Sequence, residues 1–172
     1  MKALFFNGKK IQIDFSTNDL LNKEINSVLN GLKEAGFNNY KSIAIKDIYT
    51  DTNYYVGQVH QVVIGGQSWV EQGSSIPYDS EIIVTYHAKK EFAIPYAPRN
   101  VSKRNYEELA QEFLNIGFTE VYTRPLKDLK VGWLVKENTV GKVTIGSEQN
   151  FTKGKVYDYD TKILIEYHSF NK

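Results

Sequence analysis

The spacing of apolar residues predicts one amphipathic helix in each half of the chain. Apolar side chains recur at intervals of three and four residues, which places them on one face of an α-helix. Such a face packs against a sheet or another helix. The two stripes are Ile25, Val28, Leu29 and Leu32 in the first half, and Tyr106, Leu109, Ala110 and Phe113 in the second.

The residues around these stripes predict where each helix begins and ends. Gly36 and Gly117 follow the stripes, at the position where a left-handed residue commonly terminates a helix. Asn105, with Glu108 three residues later, resembles a capping box. Asn22 is the predicted N-cap of the first helix.

Three β-strands are predicted after each helix. Their β-branched content and partial alternation favour an antiparallel sheet with one face on the helix. Asn7-Gly8 predicts a tight hairpin turn near the N-terminus, so residues 1–6 form an additional predicted strand. The six strands after the helices are predicted over residues 39–45, 58–64, 81–87, 120–126, 139–145 and 162–168.

The second half of the chain repeats the first at a constant offset of 81 residues. The offset holds without gaps at turn glycines and at core positions, which indicates two tandem copies of one small domain. We therefore predict an α+β fold with domains at residues 1–88 and 89–172, each one helix packed on an antiparallel sheet of three to four strands. Matching pairs include Gly36 and Gly117, Asp47 and Asp128, Gly73 and Gly154, Tyr86 and Tyr167, and His87 and His168.

Composition supports a folded chain and narrows the class of partner. The 172 residues are 41% hydrophobic and 24% charged, with no cysteine, which excludes disulfides, thiolate metal sites and cysteine nucleophiles. The formal charge is −2 over residues 1–88 (7 basic, 9 acidic) and +3 over residues 89–172 (14 basic, 11 acidic). A nucleic-acid partner is not expected without a concentrated basic face. No apolar run is long enough to span a membrane.

The histidines do not predict catalysis. His87 and His168 are equivalent in the repeat, and Asp79 and Asp160 recur at the opposite end of the same strands. That separation is too large for a base and its orienting group. We expect both histidines to lie on the surface or to bond to backbone. With no catalytic or phosphate-binding motif, we predict no enzyme activity, no cofactor and no metal site.

The order of the motifs resembles that of PASTA-like repeats from bacterial cell-surface and membrane-anchored proteins. The resemblance is carried by Ile94-Pro95-Tyr96, by the helix from Tyr106 to Gly117-Phe118, and by Gly132-Trp133-Leu134. It covers residues 91–168 well and residues 10–87 more loosely. The resemblance implies small non-catalytic modules, often extracellular, that bind cell-wall material or act as spacers.

From this resemblance we expect a binding or spacer module within a longer, anchored surface protein of Gram-positive type. A cytoplasmic location is the alternative. The expected partner is a cell-wall glycan. The alternative is a protein partner, bound through an exposed edge strand or through aromatic loops.

Four aromatic residues are candidate ligand contacts because they lie outside the helix stripes. Trp69 and Trp133 occupy unlike positions of the two copies, and Tyr54-Tyr55 has no aromatic counterpart in the second copy. Tyrosine and tryptophan combine a flat apolar face with a polar tip, which suits sugars and protein partners alike. The alternative is that these residues are part of the core or cover the open face of the sheet.

Overall fold

The computed structural model describes residues 9–50, 52–131 and 134–171. The chain divides into two units between Lys89 and Lys90; they are called unit 1 and unit 2 below. The predicted strand over residues 1–6 and the turn at Asn7-Gly8 lie outside the described residues. The assignment of residues 1–88 and 89–172 to PASTA-like repeats stays a prediction.

In its described residues, 9–50 and 52–89, unit 1 contains one α-helix, one short 3₁₀ turn at Asn18–Leu20 and five strands. The α-helix begins and ends close to the limits that the apolar stripe predicts. The elements are β1 (Lys10–Gln12), α1 (Ile25–Glu34), β2 (Tyr40–Ile48), β3 (Val59–Ile64), β4 (Ser75–Pro77) and β5 (Ile82–Lys89).

Unit 2 repeats these elements, and many of its limits match those of unit 1 at the offset of 81 residues. The tandem α+β repeat is therefore confirmed. The elements are β6 (Glu91–Ala93), α2 (Pro98–Val101), α3 (Tyr106–Ile116), β7 (Val121–Pro125), β8 (Val140–Ile145), β9 (Val156–Asp158) and β10 (Ile163–Tyr167).

Within the described ranges, the main sheet of each unit has three strands and is mixed, where the sequence predicted an antiparallel sheet. In unit 1 the central strand β5 pairs in parallel with β2 and antiparallel with β3. In unit 2, β10 pairs in the same way with β7 and β8. The prediction was wrong on this point because side chains alternate between the two faces of a strand whichever direction its neighbour runs.

Each unit has its own hydrophobic core between the helix and one face of this sheet. In unit 1, Val28 and Leu32 of α1 pack among buried strand residues such as Val84. In unit 2, Leu109 and Phe113 of α3 are fully buried. The predicted apolar stripes thus face the sheets, as amphipathic helices do when their stability comes from packing.

The helix starts follow the prediction in unit 2 but not in unit 1. Asn105 caps α3, since its side-chain oxygen accepts from the backbone N–H groups of Glu107 and Glu108. In unit 1 the cap is Glu24, which accepts from the backbone of Ser27 at 3.0 Å. Asn22 has a left-handed backbone with φ 60°, so the prediction that it caps α1 was wrong.

Both predicted helix-terminating glycines have positive φ, +96° at Gly36 and +119° at Gly117, but their surroundings differ. A Cβ at Gly36 would meet only Ile11, at 3.5 Å from its Cδ1. A Cβ at Gly117 would lie 2.4 Å from the Phe92 ring. Both positions require glycine for the backbone, and Gly117 also admits a close aromatic contact.

These two glycines provide a matched test of backbone strain against steric overlap. We expect Gly36→Ala to lower the free energy of unfolding by about 1 to 2 kcal/mol, the cost of a left-handed alanine. Gly117→Ala should lower it by about 2 to 5 kcal/mol, because the overlap with Phe92 is added. Urea denaturation of the full chain measures both, and an equal loss would contradict the proposed overlap.

A polar cluster on α3 distinguishes unit 2 from unit 1. Glu112 accepts hydrogen bonds from the guanidinium of Arg104 and from the hydroxyl of Tyr96. Both bonds hold the pKa of Glu112 below its ordinary value, and that of Arg104 contributes most. The equivalent position in α1 is Gly31, so this cluster has no counterpart in unit 1.

The lowered pKa of Glu112 gives a stability contribution that depends on pH. The carboxylate is favoured in the folded state, so its contribution is present above the ordinary pKa and is lost as the pH falls through the folded-state value. Because the Glu112 side chain is 38% exposed, we expect Glu112→Gln to cost only about 0.5 to 1 kcal/mol at pH 7. The loss should shrink towards pH 3 in denaturation experiments; a pH-independent loss would contradict the ionic origin.

Candidate functional site

The parallel pairing of β2 with β5 determines where the candidate site of unit 1 lies. Two parallel strands end at the same edge of their sheet. His87, near the end of β5, is therefore in register with Ile45 of β2 and close to Asp47. The chain that joins β2 to β3 starts at this edge and carries Tyr54 and Tyr55.

His87 and Asp47 form a hydrogen-bonded pair at this edge. The Nδ1 atom of His87 lies 3.0 and 2.8 Å from the two carboxylate oxygens of Asp47. An ionised carboxylate can only accept, so Nδ1 carries the proton and donates it. His87 is only 3% exposed. Its hydrogen bonds to Asp47 link the ends of β5 and β2.

Unit 2 contains the same pair at the equivalent positions. The Nδ1 atom of His168 lies 2.7 Å from an oxygen of Asp128. The prediction that both histidines lie on the surface or bond to backbone was wrong, because both side chains bond to aspartates. Asp47 and Asp128 recur at the same offset as the histidines, so the repeat already contained the signal for this pair.

Tyr54 covers one face of the His87 imidazole. The two rings are stacked, with centroids 3.8 Å apart and planes at 6°. The edge of the His87 ring meets His60, with centroids 5.1 Å apart and planes at 83°. Because Tyr54 is still 47% exposed, its other face remains available to a ligand.

Tyr55 is held beside this stack by the left-handed residue Asn22. The Tyr55 hydroxyl donates to the carbonyl oxygen of Asn22 at 2.6 Å. The Gln58 side chain donates to the Asn22 amide oxygen at 2.9 Å and accepts from the Tyr55 backbone N–H at 3.1 Å. These bonds fix the Tyr55 side chain while about half of its surface stays exposed.

Trp69 projects from a loop that a buried threonine holds in place. The Thr17 hydroxyl donates to the carbonyl of Ser68 at 3.1 Å and accepts from the backbone N–H of Val70 at 3.0 Å. The backbone N–H of Thr17 also donates to the carbonyl of Val70. The backbone is thus held on both sides of Trp69, whereas the tryptophan itself is 63% exposed.

His60 lies between the Tyr54–His87 stack and Trp69. It contacts the edge of His87 and also lines a groove of about 280 Å³ together with Trp69, Gln61 and Ser68. We call the series Tyr54, His87, His60 and Trp69 the aromatic strip. Three predicted ligand contacts, Tyr54, Tyr55 and Trp69, therefore lie in one region of unit 1.

The fourth predicted contact, Trp133, lies outside the described residues. The supporting residues Asp47, Thr17 and His60 were not predicted from the sequence. Thr17 could not have been found from the repeat, because unit 2 has Pro98 at the equivalent position. Only the fold shows that Thr17 reaches the Trp69 loop.

Unit 2 has an equivalent groove with a different lining. Its volume is about 220 Å³, and Gly141, Lys142 and Asn150 stand where unit 1 has His60, Gln61 and Trp69. The groove is therefore a property of the fold, whereas its aromatic lining is specific to unit 1.

Within residues 9–50, 52–131 and 134–171, no cluster of three or more histidine, aspartate or glutamate side chains could hold a metal ion. None of the helices in those ranges is long and apolar enough to cross a membrane.

The two histidine pairs predict unequal effects of removing their aspartates. Asp47→Ala leaves the buried Nδ1–H of His87 without its acceptor, so we expect a loss of about 1 to 3 kcal/mol in the free energy of unfolding. Asp128→Ala should cost less, because His168 is 23% exposed and water can replace the carboxylate. Chemical denaturation of the full chain measures both losses; a larger loss at Asp128 would refute the burial argument.

Comparisons with known proteins found similarity at the level of structure alone. No model of a protein family and no curated protein sequence matches the chain. The extracellular region of the Ser/Thr kinase PrkC from Staphylococcus aureus is similar at 14% identity and a TM-score of 0.43, over 96% of this chain and 49% of that one. The chain thus spans about half the length of that region.

A second similar structure is the three-PASTA-domain region of a Ser/Thr kinase from Staphylococcus aureus. It is 12% identical with a TM-score of 0.44, over 91% of this chain and 67% of that one. Both similarities are too low to transfer a ligand or an activity to this chain.

Proposed function

We propose that the chain is a non-catalytic tandem binding module and that unit 1 binds a cell-wall polysaccharide through its aromatic strip. The observation that carries the proposal is Trp69, which is 63% exposed on a backbone that Thr17 holds on both sides. A loop whose backbone is already held needs little further ordering when a ligand binds, and a tryptophan exposed on it favours a ligand contact over a covering role.

The chemistry around Trp69 suits a sugar. A sugar ring has apolar C–H groups on its faces, which pack on aromatic rings, and hydroxyl groups at its rim. The groove beside Trp69 provides polar partners for those hydroxyls from Gln61, His60 and Ser68. Tyr54 and His60 are exposed as well, and both contact the buried His87, so the strip offers more than one accessible ring and fits a chain of sugars better than a single one.

The surroundings of His87 support a binding role over a catalytic one. A general base must reach the proton that it removes. His87 is buried beneath Tyr54 and His60 and is bonded to Asp47, so a substrate does not reach it. In this proposal the histidine and the aspartate are structural supports for the strip.

The proposed location is the outside of a bacterial cell, within a longer anchored protein. Its support is the resemblance of Ile94-Pro95-Tyr96 and the following helix to PASTA-like repeats.

Brief protease treatment of intact cells tests this location. It should remove the epitopes of this chain, whereas protection until the cells are lysed would favour the cytoplasmic alternative.

Replacing Trp69 by its counterpart in unit 2 tests the proposed site. We expect Trp69→Asn to weaken sedimentation of the full chain with purified cell-wall polysaccharide by about thirtyfold, the equivalent of about 2 kcal/mol at an aromatic hot spot. The thermal midpoint should change little, because the indole contributes mainly exposed surface. Tyr54→Val, again the residue of unit 2, should weaken binding in the same assay.

Tyr122 supplies the matched control. It is an exposed tyrosine on β7 of unit 2, away from the aromatic strip in sequence and unit, so Tyr122→Ala should leave binding unchanged. Undiminished binding by Trp69→Asn would overturn the proposed site. Binding of a purified protein partner, without any retention by polysaccharide, would instead favour the protein-interaction alternative.

A further inference from the structure

Among the residues that the structure describes, no ring covers the histidine of unit 2 as Tyr54 and His60 cover its counterpart in unit 1. Tyr54 stacks on His87 and His60 meets its edge, but the equivalent residues in unit 2 are Val135 and Gly141. The exposed fraction rises accordingly, from 3% at His87 to 23% at His168. The same His–Asp pair is therefore closed over in unit 1 and accessible in unit 2.

A groove of about 390 Å³ occupies this place in unit 2. It is lined by Lys103, Val135, Lys136, Thr139, Gly141 and His168, among others. A Cβ at position 141 would lie 3.0 Å from Nε2 of His168 and 2.9 Å from Cδ1 of Leu126. The imidazole and Leu126 thus occupy the space that a side chain at position 141 would need, so glycine lets His168 lie against the backbone and leaves no side chain over the groove, where unit 1 has a histidine.

The groove also carries positive charge that unit 1 lacks. Lys103 replaces Asn22, and Lys136 replaces Tyr55. Both lysines are exposed, and neither amino group forms an ion pair within the part of the chain that the structure describes. The carboxylate of Asp128 is bonded to Nδ1 of His168, so the other ring nitrogen, Nε2, is the one beside the groove.

We propose that this groove binds a carboxylate that carries a flat or ring-shaped body. The ring lies over His168 as Tyr54 lies over His87, and the carboxylate lies between Lys103 and Lys136. The stacking of Tyr54 on His87 in unit 1 is therefore the model for the stacking of a ligand ring on His168 in unit 2. The inference is independent of the polysaccharide site, because it uses different residues in the other unit.

Two kinds of ligand share this chemistry, an aromatic carboxylate and an acidic sugar. Benzoate and glucuronate are suitable probes for the two, and titration of the ¹⁵N-labelled full chain followed by NMR measures their binding. Acetate has the charge without a ring, and benzyl alcohol has a ring without the charge. We expect dissociation constants of about a millimolar for such small ligands.

The expected result is saturable shifts of the Gly141 and His168 amide signals with one or both ring carboxylates. Binding by benzoate alone identifies the aromatic class, and binding by glucuronate alone identifies the acidic sugar class. Acetate and benzyl alcohol should bind at least about tenfold more weakly. Equal affinity for acetate, or no shift with either ring carboxylate, overturns the proposal.

Substitutions that fill the groove or remove its charge test the two parts of the proposal separately. Val135→Tyr introduces the ring of unit 1 and should abolish binding by filling the groove. The double variant Lys103→Asn with Lys136→Gln should weaken binding about tenfold, since exposed charge pairs contribute modestly. Asparagine suits position 103, because Asn22 has φ 60° and Lys103 has φ 65°.

Two further variants separate this proposal from that for unit 1. Tyr54→Val opens the equivalent place in unit 1 without supplying lysines, so it should create no new carboxylate site. Trp69→Asn should leave the unit 2 titration unchanged whatever it does to polysaccharide binding. Unaltered binding by a folded Val135→Tyr variant, as judged by its thermal midpoint, overturns the proposed position of the ring.

Discussion

The parallel pairing between the first and central strands of each main sheet is the constraint on which both candidate sites depend. It brings the ends of β2 and β5 to one edge in unit 1, and the ends of β7 and β10 to one edge in unit 2. Each edge then holds a histidine bonded to an aspartate. In an antiparallel pair the two ends would lie at opposite edges, and neither pair could form.

The repeat makes it possible to separate what the fold needs from what a ligand needs. The cores, the helix-terminating glycines and the His–Asp pairs recur in both units, and these are the groups whose removal leaves strain or an unbonded buried atom. The substitutions around those pairs, such as Tyr54 to Val135 and His60 to Gly141, lie at exposed positions. Exposed positions change with little effect on stability, so duplication leaves them free to acquire different ligands.

Helices and strands could be predicted from sequence because periodicity and the 81-residue offset supported each other. Strand direction could not, since the apolar pattern of β5 is the same beside a parallel or an antiparallel neighbour. The Asp47–His87 pair could have been predicted from the sequence, because both residues recur in the repeat. The hydrogen bonds from Thr17 to the Trp69 loop could not. The bond to Ser68 joins residues 51 positions apart in sequence and has no counterpart in unit 2.

The difference between the two histidine sites follows from a few substitutions on a shared framework. In unit 1, Tyr54 and His60 cover the imidazole of His87 and hold it in place. The surface that a ligand can contact is then formed by the exposed rings of Tyr54 and His60 and not by His87. In unit 2, Val135 and Gly141 place no ring over the imidazole, which is 23% exposed, and Lys103 and Lys136 add charge beside it. Because the covering residues come from the same chain, unit 1 loses no entropy of association in keeping its histidine covered, whereas a ligand in unit 2 does. The first arrangement therefore favours a permanent platform, and the second favours a reversible small-ligand site.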